Sequence, residues 1–274
     1  MRGDRSLRRM ARFFVASPPE SADVVAGRVV SPAPPAVGAS ARLDAEDSHH
    51  AARVLRLRVG EECEIVRADA PGWVWEARVE TLGPPVEVRL NRLLEEPGTA
   101  VLYVALVQGL PVLSKVDEII DKGTQVGVDE FHMVQAEQSP GEAGRKAAAR
   151  VERWERLARA AAKQSRQPAV PSVTIEDGVA EAVSSLRSQG FVSVMLDPAA
   201  QQTLSLWLQD REKPVSSPER LAIYVGPEGG WTVAERECLQ EHGVVAARLG
   251  RRILRTETAG IVAAAVVRSA RGDW

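Results

Sequence analysis

From position 101 onward, short apolar runs alternate with stretches of helical spacing, and this alternation limits the fold more than any other feature. Val101–Val107 is a continuous apolar run, and Ser114–Val126 is amphipathic with a helical period. Phe131–Gln135 reads as a strand, and a basic helix begins at Arg145. Val170–Ile175 is a strand leading into a helix that reaches Gln189. Val192–Leu196, Leu221–Gly226 and Val244–Leu249 are further strands, with helices over Val233–Glu241 and Glu257–Arg268. Apolar strands alternating with helices predict the α/β class, a parallel sheet covered on both faces. In such a sheet the ligand lies beyond the carboxyl ends of the strands.

The first ninety residues have another rhythm. Arg12–Val15, Cys63–Ala68, Gly72–Val79 and Val86–Asn91 are short strand-like runs, and Val86–Asn91 alternates cleanly. Turn-formers such as Ser31-Pro-Ala-Pro-Pro and Ala70-Pro-Gly separate them, and one helical piece spans about Asp47 to Leu55. This spacing predicts a small β-barrel or sandwich over residues 1–93. Leu94-Glu-Glu-Pro-Gly-Thr reads as a linker over 94–100, leaving 101–274 for the α/β domain. With 45% apolar and 26% charged residues the chain can bury a core, which excludes general disorder. Its longest relevant apolar stretch, Ala259–Val267, is far too short to span a membrane. Cys63 and Cys238 are too few for a disulfide framework, and His49, His50, His132 and His242 lack metal-ligand spacing. No metal is expected. The basic start lacks an apolar signal region, so the expected location is the reducing cytoplasm.

Charge is balanced overall, with 35 basic and 37 acidic residues, but unevenly placed. Five arginines lie between Arg2 and Arg12 against one acid, Asp4. Eight basic residues lie between Arg145 and Arg166 against two acids, and four arginines between Arg248 and Arg255 against none. Such islands are ordinarily solvated surface, yet they also suit a polyanion. At 100° per residue, Val151, Trp154, Leu157, Ala158 and Ala161 share one helical stripe. Arg156, Arg159, Lys163 and Arg166 share the opposite side, a one-sided row that fits phosphate binding; Pro168 should stop the helix just after Arg166.

Three strands end in unusual turns: Met195-Leu-Asp-Pro, Gly226-Pro-Glu-Gly-Gly-Trp-Thr and Leu249-Gly-Arg-Arg-Ile-Leu-Arg-Thr-Glu-Thr-Ala. Gly226, Gly229 and Gly230 allow a ligand close to the backbone, and Glu228 is the one carboxylate among them. Thr232 and Glu235 have capping-box spacing, which starts the next helix. Neither a P-loop nor a G-x-G-x-x-G turn occurs, which argues against P-loop nucleotide hydrolysis and ordinary dinucleotide binding.

These two late turns together resemble the RsmE family, bacterial methyltransferases of the N3 of a uridine in 16S rRNA, within the SPOUT class. Other segments agree in order: Arg12-Phe-Phe-Val, His50-Ala-Ala-Arg-Val-Leu-Arg-Leu-Arg-Val-Gly, Leu106-Val-Gln-Gly-Leu-Pro, Lys115-Val-Asp-Glu-Ile-Ile-Asp-Lys, and Ala161-Ala-Lys-Gln-Ser-Arg-Gln-Pro-Ala-Val-Pro. There are departures. The family's Lys-Gly after Leu-Pro is Val112-Leu113 here, Ala-Thr-Glu-Leu-Gly-Val reads Gly123-Thr-Gln-Val-Gly-Val, and Glu-Arg-Ser reads Glu137-Gln-Ser. The family start lies near Arg12, which implies Met10 as the initiator.

The resemblance implies a trefoil-knotted SPOUT domain after a PUA-like β-barrel, with S-adenosylmethionine as methyl donor. It places the donor on Leu196, Gly226, Glu228, Gly229, Gly230, Leu249, Gly250, Ile253, Leu254 and Arg255. Because the uridine N3 carries a proton, a base or a cation facing the developing anion is required. Arg255 is the candidate cation, and Glu257 or Glu228 the candidate base. Glu257 also suits a helix N-terminus for its charge alone. RNA phosphates are expected on Arg12, Arg53, Arg56 and Arg58, and on Arg156, Arg159, Lys163 and Arg166. The resemblance further implies a homodimer acting on 16S rRNA in the 30S subunit, with the Ala/Val face of Glu257–Arg268 in the interface. A SPOUT enzyme with another target atom, such as a ribose 2′-oxygen, shares the same donor turns. The residues also leave open an inactive RNA-binding homologue and an α/β enzyme for a small metabolite.

Overall fold

A computed structural model describes residues 10–15, 37–67, 70–95, 102–140, 147–211 and 219–272. The chain divides into two compact units, Met1–Gly98 and Thr99–Trp274. The basic run Arg2–Arg9, the Ser31–Pro35 turn and positions 96–100 of the expected linker lie outside the described residues.

The first unit holds a five-stranded sheet in the order β1-β3-β4-β5-β2, formed by β1 (Arg12–Val15), β2 (Ser40–Arg42), β3 (Glu62–Arg67), β4 (Ala70–Thr81) and β5 (Glu87–Glu95). Of these strands only β1 and β3 pair in parallel. Phe13, Ile65, Trp75, Ala77, Val88 and Leu90 fill its core. Leu94 and Glu95, read as linker, belong to β5. Asp44 caps α1 (Ala45–His49) by accepting from the Asp47 N–H, and a π-helical turn continues over His50–Val54.

The second unit holds a six-stranded, wholly parallel sheet in the order β11-β9-β10-β6-β7-β8. Its strands are β6 (Leu102–Gly109), β7 (Glu130–Val134), β8 (Ser172–Glu176), β9 (Val192–Leu196), β10 (Glu219–Val225) and β11 (Val245–Ala247). Among the described residues six helices cover it: α2 (Val116–Gln125), α3 (Ala147–Ser165), α4 (Val179–Ser188), α5 (Leu204–Gln209), α6 (Val233–Glu241) and α7 (Thr256–Arg271). Two separate apolar clusters, one around Leu106, Phe131, Trp154 and Ile223, the other around Val107, Leu186, Tyr224 and Leu239, correspond to the two faces.

Strand order decides where a site forms. The chain runs outward from β6 to β7 and β8, then crosses to β9 and returns through β10, which pairs with β6. The turns that follow β6 and β10 therefore diverge, leaving a crevice at the carboxyl ends of two paired strands.

Candidate active site

The three turns read from the sequence meet at that edge, around a cavity of about 570 Å³. Leu196, Gly226, Glu228, Gly229, Gly230, Leu249, Gly250, Ile253, Leu254 and Arg255 all line it, with Trp231, Arg236, Arg252 and Lys115. A volume of roughly 300–1,000 Å³, mostly apolar with a few placed polar groups, is the common form of a small-molecule site.

The glycine turn is shaped by two constraints. Gly230 has φ +76°, a left-handed conformation that side chains disfavour. A Cβ on Gly229 would collide with Gln138 Oε1, so Gln138 packs directly on the turn. The turn then passes into α6 through the predicted capping box. Thr232 accepts from the Glu235 N–H, and Glu235 accepts from the Thr232 N–H. Glu235 also accepts from the Glu137 N–H at 2.9 Å, tying this corner to the loop after β7.

The start of α7 is fixed in the same way. Gln108 Nε2 donates to Thr256 Oγ1 at 2.8 Å, and Thr256 donates to the Gly226 carbonyl at 2.5 Å. Glu257 is thereby held in the first turn of α7, where its charge suits the helix dipole. Its side chain is 10% exposed. Arg255 and Ile253 are exposed at the cavity mouth, Ile253 by 82%. Of the three predicted catalytic residues, Arg255 and Glu228 line the cavity and Glu257 borders it.

Lys115, at the end of a 3-10 turn before α2, is the residue that reading by motif misses. Its Nζ is 3.0 Å from Glu228 and 3.2 Å from Glu257, so one ammonium joins both candidate carboxylates. Hydrogen bonds to Glu228 and Glu257 raise the Lys115 pKa. Burial pushes Glu228 upward, but Lys115 and backbone N–H groups, including that of Val112, together bring it below the usual carboxylate range. Only the strand order could have paired these positions, because they are remote in sequence.

The predicted RNA-contact arginines do not share one environment. Arg12 is buried, and its Nε donates to Glu64 at 2.8 Å. It therefore braces the first sheet and cannot reach a phosphate, which corrects the expectation. Arg53, Arg56 and Arg58 are exposed, beside the exposed apolar Val54, Leu55 and Val59. On α3, Arg156 is exposed and Arg159 and Lys163 half-buried, while Arg166 lies just past the helix with φ +61°. The α7 residues Ala263, Ala264 and Val267 pack into the core of their own chain, while Ile261, Val262 and Ala265 are half-buried.

The parallel sheet and its glycine-lined cavity fall within residues 99–268, which match the RNA methyltransferase domain family, so the chain is of the RNA methyltransferase class. An RNA methyltransferase PUA domain matches residues 43–67. The chain belongs to the ribosomal RNA small subunit methyltransferase E family, with the SPOUT-type fold. The relative from Mycobacterium bovis is 31% identical, over 88% of this chain and 90% of its own. That from Bacillus subtilis is 29% identical, over 81% and 87%. The structure of the Neisseria gonorrhoeae relative, bound to S-adenosyl methionine, has a TM-score of 0.76 at 27% identity, covering 95% of this chain and 97% of its own.

Proposed function

We propose that this chain transfers a methyl group from S-adenosylmethionine to N3 of a uridine in 16S rRNA, acting as a homodimer on the 30S subunit in the cytoplasm. One observation carries the reading: all ten residues expected to hold the donor line a single cavity at the crevice between β6 and β10. The residues present fit that donor. Apolar Leu196, Leu249 and Leu254 offer faces for an adenine, and the Gly226–Gly230 backbone offers polar groups without side-chain bulk. Trp231 Nε1 is buried there without a partner among the described residues, a donor suited to a ligand acceptor. When bound, S-adenosylmethionine supplies an electrophilic methyl group that needs no metal.

The chain's own residues supply the rest. Arg255, exposed at the mouth, faces the carbonyl oxygens on which negative charge develops as N3 loses its proton. A carboxylate beside the cavity, Glu257 or Glu228, accepts that proton. Arg53, Arg56 and Arg58 in the first unit, and Arg156, Arg159, Lys163 and Arg166 in the second, hold phosphates and set register. The half-buried Ile261, Val262 and Ala265 of α7 are the face left for a second copy. Mass-spectrometric mapping of 16S rRNA from a strain lacking this protein tests the reading. One N3-methyluridine should be missing, restored by the wild type and not by Arg255→Ala. Loss of a ribose 2′-O-methyl group instead would reject the assigned atom.

A further inference from the structure

Three charged side chains from three separated segments meet beside the cavity: Lys115 before α2, Glu228 in the turn after β10 and Glu257 in the first turn of α7. The two carboxylates are not equivalent. Glu228 is held twice, by the Lys115 ammonium at 3.0 Å and by the Val112 N–H at 3.2 Å. Glu257, also buried, meets the same ammonium through Oε2 at 3.2 Å. A carboxylate oxygen accepts more than one hydrogen bond, so one ammonium leaves Glu257 with capacity for a donor that arrives from outside. Lys115 and Thr256, which flank Glu257, both line the cavity.

We propose that Lys115 and Glu257 together read the imide edge of the target uracil, with Glu228 holding Lys115 in place. The proposal rests on the uridine-N3 reading above. Uracil presents an N3–H beside a carbonyl oxygen, so a carboxylate next to an ammonium is its complement, acceptor to donor and donor to acceptor. Cytosine presents a bare N3 and an amino group, and Glu257 would then face a lone pair. The pair that selects the base also serves the reaction. The N3 proton passes to Glu257, and the electron pair left on N3 forms the bond to the methyl carbon. The carbon–sulfur bond breaks with its pair staying on sulfur. The negative charge of Glu257 and the positive charge of the sulfonium disappear together. While N3 is electron-rich, its charge spreads to the neighbouring oxygen, which Lys115 stabilises. Glu228, already engaged by two donors, anchors the ammonium when Glu257 turns to the base.

Single-turnover methyl transfer by the full chain on 30S subunits lacking the modification, followed across pH, tests this alongside calorimetry with S-adenosylmethionine. Lys115→Gln should slow transfer about ten- to hundredfold while donor affinity changes by less than about threefold. Lys115→Arg should recover part of the rate, since the cation is kept. Glu257→Gln should slow transfer by about a hundredfold and remove the acidic limb of the pH profile. The double variant should be little slower than Glu257→Gln alone, because the two side chains act as a unit. Circular dichroism melts identify any variant that misfolds; Lys115→Arg with Glu257→Gln then carries the test. An unchanged rate in Lys115→Gln overturns the proposal. So does an equal loss of donor affinity, or an acidic limb erased by Glu228→Gln but kept in Glu257→Gln. A wild type that binds no donor, or methylates another atom, instead overturns the functional reading beneath it.

Discussion

His132 stands on β7 with Nδ1 3.1 Å from Glu176 and Nε2 3.1 Å from Glu130, and Tyr103 donates to Glu130 from β6. Burial alone lowers its pKa, but hydrogen bonds and charge from the two carboxylates together carry it above the ordinary histidine value. A folded-state pKa raised above the unfolded one contributes stability that is complete below the unfolded value, about 6.5, and is lost as pH rises through the folded value. Glu130 is shifted the other way, so its contribution fails only in stronger acid. His132→Gln should therefore destabilise the protein more at about pH 5.5 than at about pH 9, measured by urea unfolding at both. Equal losses would show that the charge is uncoupled from folding. At this scale Gly230 is legible in the sequence, because its left-handed φ disfavours other residues, whereas Gly229 is crowded by Gln138 from a remote segment. Arg12 is not legible, because a count of charges cannot distinguish a solvated arginine from one that pairs with Glu64 across β1 and β3.

The α3 helix follows the stripe read from its period: Trp154, Ala158 and Ala161 are buried and Arg156 faces solvent. It ends at Ser165, a little short of the expected end just after Arg166. If its row of cations holds phosphates, neutralising Arg156, Arg159 and Lys163 to glutamine should flatten the salt dependence of 16S rRNA binding. The slope of log affinity against log salt should drop by about one for each phosphate no longer held, read from filter binding across a salt series. An unchanged slope would leave the row as ordinary surface. Elements long enough to show a period are legible. Two are not: β2 has three residues of mixed exposure, and α5 has six, set by Thr203 accepting from the Leu206 N–H. The π turn at His50–Val54 is hidden too, since apolar spacing does not distinguish it from the α-helix it extends.

Across the molecule, the order β11-β9-β10-β6-β7-β8 is what the linear pattern leaves out. Alternation announces a parallel sheet but not which strands adjoin, so the crevice that brings Lys115 to Glu228 and Glu257 emerges only with the fold. α7 spans the sheet. Its first turn carries Glu257, while Arg271 near its end pairs with Glu219 at the amino end of β10, at 2.6 and 2.9 Å. Both partners are 4% exposed, and Arg271 also donates to the Leu208 carbonyl. Arg271→Met leaves the buried Glu219 carboxylate with only the longer 3.9 Å ion pair to Arg211 among the described residues and should lower stability by up to about 3–5 kcal/mol in urea titrations, whereas combining it with Glu219→Leu should restore most of the loss. Arg268, which donates to the Gly127 carbonyl and to Asp129, fastens the same end. One rod thus carries Glu257 at its near tip and, at its far tip, the Arg271 pair that closes the interior, so the helix is anchored at its end only once Arg271 has been made. Anchorage of the whole helix is thus completed late in synthesis, and a nascent protein halted a turn early would lack the buried Arg271–Glu219 clasp.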